Sequence, residues 1–170
     1  MGSTRQETFE VSHFKVWMVA STVFISLFLQ AFLPRYFPYL AVLDLPLLAL
    51  LYFGLARRNP ANGLLMGTFI GLMQDGLSHQ PIGMYGIVKT VVGFLASSLS
   101  GRIDTEHPIV RCLMGALLYL LHQMVYAGLH RWLVERPAGL SLSRVLVGTL
   151  VNAFLAVLVF PVLDRFKKPA

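Results

Sequence analysis

Gly63, Gly67, Gly71 and Asp75 follow one another at four-residue spacing within GLLMGTFIGLMQDGLSHQPIG. On a helix this makes a slowly drifting stripe without side chains, ending in a carboxylate. A second helix can pack closely against such a stripe, a familiar device in membranes. A carboxylate at its end is costly in lipid and needs a partner or a cavity. The surrounding composition sets this stretch in a bilayer. Of the 170 residues, 56% are hydrophobic and only 13% charged, about half the charge of a typical soluble domain. The stretch therefore indicates an integral membrane protein with a buried site.

Six apolar stretches approach the roughly 20 residues needed to span a bilayer. They lie near Val16–Leu33, Tyr39–Ala56, Ala61–Leu77, Ile82–Leu99, Val110–Leu133 and Leu142–Leu163. Turn residues separate them: Pro34 and Pro38, Asn59-Pro60, Pro81 and Gly83, Pro108, then Pro137 and Gly139. The pattern predicts an all-α polytopic protein of six transmembrane helices. Residues 1–15 form a cytoplasmic N-terminal segment, 16–163 the membrane domain and 164–170 a cytoplasmic basic tail. Gly and Ser dilute the third and fourth spans, so a broken or re-entrant geometry is expected there if anywhere. The first span is not read as a cleaved signal, because it ends in LPRYFP rather than a small-residue cleavage site.

Charge sets the orientation. With the N-terminus inside, nine basic residues fall on the cytoplasmic side: Arg5, Lys15, Arg57, Arg58, Arg102, Arg111, Arg165, Lys167 and Lys168. Four fall outside, Arg35, Arg131, Arg136 and Arg144, and Lys89 lies within a span. The bias places both termini in the cytoplasm. A net charge of +6 then reflects basic cytoplasmic loops and contact with anionic lipid rather than nucleic acid.

Asp44, Asp75 and Lys89 are the ionisable residues inside or at the ends of spans, all in the outer half. Asp44 and Lys89 sit roughly 8 and 10 Å below the outer surface at 1.5 Å per residue. Two readings follow. One is an outward-facing polar pocket built by spans two to four; the other is a buried ion pair of Lys89 with Asp44 or Asp75 that fixes helix packing. Lys89 could also snorkel outward. The glycines divide similarly between packing within the monomer and contact with another membrane protein.

No metal site or cofactor is expected. His122 and His130 lie eight residues apart on span five, too far for shared coordination, and the single Cys112 excludes an internal disulfide or a CxxC motif. GxSxG, HExxH and Walker A patterns are absent. Ser78 and His79 are neighbours, which is not a nucleophile–base geometry.

DLPLLALLYFGLARR at Asp44–Arg58 is followed by Gly63–Gly71, Asp75, Ser78 and Gly83, then GFLAS from Gly93. This order resembles the rod shape-determining protein MreD family of bacteria. Its run G-x-x-x-G-x-x-x-D-x-x-S-x-x-x-x-G is met by Gly67, Gly71, Asp75, Ser78 and Gly83, and its fourth-span G-[YF]-L by Gly93, Phe94 and Leu95. One departure is that Leu43, not Pro, precedes Asp44, while Pro46 follows.

The resemblance implies a non-enzymatic component of the cell-elongation machinery in the inner membrane. Its implied partner is MreC. RodA with its transpeptidase partner, RodZ and MreB belong to the wider complex that makes lateral peptidoglycan. It also implies a fold similar to the six-helix substrate-binding subunits of energy-coupling-factor transporters, whose ligand pocket lies near the outer surface. A vitamin-binding subunit of that kind is the alternative function. Asp44, Asp75, Ser78 and Lys89 are the candidates for a pocket or partner site, and Gly63, Gly67, Gly71, Gly83 and Gly93 for helix packing.

Overall fold

In a computed structural model, residues 15–78, 81–104, 107–134 and 141–166 are described. The expectations for the N-terminal segment through residue 14, for Arg5, His79, Arg136, Lys167 and Lys168, and for the loop at 135–140 lie outside the described residues. All regular structure among the described residues is helical. The long helices are α1 (Val16–Tyr36), α2 (Leu45–Arg57), α3 (Pro60–Ser78), α4 (Met84–Ser100), α5 (Pro108–Leu133) and α6 (Leu142–Asp164), with a short 3₁₀ turn at Pro38–Val42 ahead of α2. Among the described residues, four segments are long and apolar enough to cross a membrane: α1, the 3₁₀ turn together with α2, α5 and α6. The other two helices are shorter or more diluted by glycine, as the chain's Gly and Ser content foretells.

α2 is the centre of the bundle. Every residue from Pro46 to Leu55 is buried, as expected of a helix apolar on all sides. At 13 residues it is only about 20 Å long, and the 3₁₀ turn and the coil at Leu43–Asp44 complete the crossing. The break in the bundle is therefore here, in the second span, and not in the third or fourth. The reason is local. Pro46 is preorganised for the first turn of a helix, Asp44 caps that turn, and Pro38 starts the preceding one. Glycine in α3 lowers its hydropathy without breaking it, because the bare face is filled by a neighbour.

That neighbour is α4. A Cβ placed on Gly63 would overlap the Gly93 carbonyl and Ser97 Oγ, one on Gly67 the Lys89 carbonyl, and one on Gly71 the Tyr85 carbonyl. A Cβ on Gly93 would in turn overlap the Gly63 carbonyl. The two backbones touch along three helical turns, and Thr68 and Thr90 hydroxyls join them at 2.7 Å. Small residues at such a seam let dispersion contacts replace the hydrophobic drive that lipid removes.

Candidate functional site

Breaking the second span frees backbone groups that lipid cannot satisfy, and each must find a partner inside the protein. Gln30 of α1 supplies two: its amide nitrogen Nε2 donates to the Leu43 carbonyl at 2.9 Å, and Oε1 accepts from the Leu45 amide at 3.0 Å. Asn152 of α6 supplies two more. Its Oδ1 accepts from the Asp44 amide at 3.0 Å, and Nδ2 donates to the Val42 carbonyl at 3.0 Å. Tyr119 of α5 donates to the same carbonyl at 3.3 Å. The break is thus held from three sides by neutral side chains.

Asp44 sits at its centre. Its Oδ1 accepts from the Leu47 amide at 2.9 Å, capping α2. Lys89 of α4 donates to both carboxylate oxygens, at 2.8 and 2.9 Å. Lys89 is completely buried and Asp44 nearly so, so Lys89 does not snorkel. Its charge is neutralised inside the bundle, which a lysine at this depth requires. His122 of α5 approaches from the far side, with Nε2 3.5 Å from Asp44 Oδ2, beyond normal hydrogen-bond length. Around this carboxylate meet side chains or backbone of α1, α2, α4, α5 and α6.

Asp75 has a different task. It is buried at the end of α3, and its carboxylate faces the start of α4. Oδ2 accepts from the amides of Gly83 at 2.9 Å and Gly86 at 3.1 Å, and Oδ1 from Tyr85 at 2.9 Å. These are orphan donors of a helix N-terminus, where negative charge is favoured. Gly83 stands at φ 100°, a left-handed conformation that glycine adopts without a steric penalty. The spacing from Asp75 to Gly83 is therefore the geometry of a closed helical hairpin. Ser78 donates to the Gln74 carbonyl within the last turn of α3 and borders a cleft described below. The structure thus pairs Lys89 with Asp44, sets Asp75 on backbone amides, and leaves Ser78 apart from both.

A second polar cluster ties the opposite end. Arg111 of α5 donates through Nη2 to Asp164 Oδ2 at 2.6 Å, and Tyr52 of α2 donates to Asp164 Oδ1 at 3.0 Å. Arg111 is buried, so one of the nine charges counted on the cytoplasmic side sits in an ion pair inside the bundle. This pair, Gln30 and Asn152 are not among the residues that the sequence pattern singled out, and His122 was weighed only as a metal ligand. Gln30 and Asn152 are amides in otherwise apolar spans, which is the signal that could have found them. Among the described residues no group of His, Cys, Asp and Glu is arranged to hold a metal ion.

No curated protein and no solved structure matches the chain. The likeness to energy-coupling-factor subunits therefore rests on the resemblance read from the sequence. A family profile does match, and it runs over residues 11–168, taking in all six helices and both buried carboxylates. On that match the chain belongs to the family described as rod shape-determining protein MreD.

Proposed function

We propose that this protein is a non-enzymatic scaffold of the bacterial cell-elongation machinery, set in the inner membrane with both termini in the cytoplasm. In this reading it binds MreC and, through it, supports lateral peptidoglycan synthesis by RodA and its transpeptidase partner, alongside RodZ and MreB. The observation that carries the proposal is the family match across residues 11–168. Family membership makes the chain a shape-determining membrane component; the named partners and the orientation are the proposed refinement.

The interior chemistry supports a packing role. Asp44 is spent on Lys89 and a helix cap, Asp75 on three amides, and Asp164 on Arg111 and Tyr52. Each carboxylate stabilises a junction between elements, which suits a rigid body that presents its surface to partners. The decisive experiment is a pull-down from native membranes with identification of proteins and small molecules. Co-purification of MreC is the expected result. Recovery of a transporter ATPase module with a bound vitamin would overturn the proposal in favour of the alternative. Cysteine labelling checks the orientation: residue 79 should label from outside and residue 168 only from the cytoplasm.

A further inference from the structure

Against the Asp44 cluster lies a cavity of about 220 Å³. Gln30, Gln74, Tyr85, His122 and Arg144 are among the side chains that line it. Gln74 and Tyr85 also line an adjoining cleft of about 540 Å³, which reaches Arg35 and Ser78 and is walled by Leu27, Phe32 and Leu77. Gln74 and His122 are 94% and 97% buried (6% and 3% exposed), yet Gln74 Oε1 and both ring nitrogens of His122 have no hydrogen-bond partner. Buried polar atoms left unpaired are costly, and native structures hold few of them. Here three of them cluster at one cavity.

The charge of the cavity specifies its occupant. Asp44 is its one acidic lining residue among those described, and Lys89 neutralises it through two bonds. Arg144 lines the cavity and Arg35 the cleft, and neither forms an ion pair among the described residues. A guanidinium fork is matched by phosphate. Gln74 Oε1 is an acceptor and needs a donor, which a hydroxyl supplies. The cleft wall is apolar, and Phe32 and Leu77 are about half exposed on the lipid-facing side. Phosphate is the anion that lipids present beside such a wall.

We propose that this cavity binds a phosphate-headed molecule carrying hydroxyl donors, with the phosphate toward Arg144 and a hydroxyl on Gln74. The source is either a lipid headgroup entering through the cleft or a soluble phosphate ester. The proposal does not depend on the elongation reading: a protein that recovers MreC and fails to bind phosphate probes would keep the one and lose the other.

The test uses the full chain in phosphatidylcholine nanodiscs. Thermal unfolding is followed while glycerol 1-phosphate or dihexanoyl phosphatidylglycerol is titrated, with dihexanoyl phosphatidylcholine as the lipid lacking hydroxyl donors. A saturable rise in Tm with at least one of the first two is expected, since a ligand of the native state stabilises it. Response to glycerol 1-phosphate alone assigns a soluble source; response to the lipid, with or without the ester, assigns a headgroup. Arg144→Gln should weaken the apparent Kd by about tenfold or more, the scale of one lost charge-assisted hydrogen bond. Gln74→Met should weaken it too, and Arg102→Gln, at the opposite end of α4, should leave it unchanged. Arg144 is exposed, so its variant keeps the test available if Gln74→Met fails to fold. No response to either phosphate probe, equal response to phosphatidylcholine, or an unchanged Kd in Arg144→Gln would overturn the proposal.

Discussion

Asp44 and Asp75 are both buried, both satisfy the start of a helix, and both lie at the same end of the bundle, yet they hold different things together. Asp75 acts within a hairpin. It ends α3 and closes onto amides eight to eleven residues further along, with the glycine seam between α3 and α4 beneath it. Asp44 acts across the whole chain. Its partners come from residues 89 and 152, 45 and 108 positions away, and its neighbours Val42, Leu43 and Leu45 are held by α1, α5 and α6. A carboxylate bonded to nearby amides costs little chain entropy to place. One neutralised by a distant lysine is worth keeping only if the elements carrying both must be fixed relative to each other.

The difference predicts a ranking of effects. Lys89→Met should be the most damaging single change. It leaves Asp44 as an uncompensated buried charge, which costs about 3–5 kcal/mol, and the loss should appear as a global fall in stability by SDS-induced unfolding in detergent. Next comes Gly67→Leu. The new side chain would meet α4 backbone, which cannot move aside as a side chain does, so overpacking of about 1–3 kcal/mol or more is expected, read as lower folded yield. Asp75→Asn should follow at about 1–2 kcal/mol, the scale of a lost cap. Its signature is local: faster hydrogen exchange at Gly83, Tyr85 and Gly86, with the amides of α5 and α6 unchanged. Smallest, and opposite in sign, is Gly76→Ala. A Cβ there meets nothing within 4 Å, so the change should be neutral or stabilising by up to about 0.5–1 kcal/mol. Damage from Gly76→Ala equal to that from Gly67→Leu would remove the seam from the account.

The hairpin was the more legible region for a physical reason. Its determinants lie close together in sequence: glycines every four residues, an acid at the end, then a glycine at the turn. Helical spacing alone brings Gly63, Gly67 and Gly71 to one side, and the family motif marks Gly67, Gly71, Asp75, Ser78 and Gly83. At the Asp44 cluster the charged members were visible, because Asp and Lys in apolar spans are conspicuous. Choosing between Asp44 and Asp75 as the partner of Lys89 needed the fold, since both lie in the outer half of the membrane. Neutral members such as Gln30 and Asn152 gave weaker signals, and their purpose depends on a helix break in the second span that Gly and Ser content does not mark. Hydropathy pointed to the glycine-rich spans, whereas Pro46 and the Asp44 cap decided the matter locally. Arg111 and Asp164 were hidden by their positions near span ends, where charged residues ordinarily meet water or lipid headgroups.

The most direct measurement of the central claim is a pair of double-mutant cycles on unfolding free energy in detergent. One combines Lys89→Met with Asp44→Asn, which keeps the side-chain oxygen that caps α2; the other combines Lys89→Met with Asp75→Asn. The account predicts strong coupling in the first, on the order of 0.5–3 kcal/mol, with the double variant recovering much of the stability lost in Lys89→Met. It predicts near-additivity in the second, within about 0.5 kcal/mol. Additivity in the first cycle, or coupling in the second as large as in the first, would contradict the assignment of Lys89 to Asp44 and of Asp75 to the hairpin.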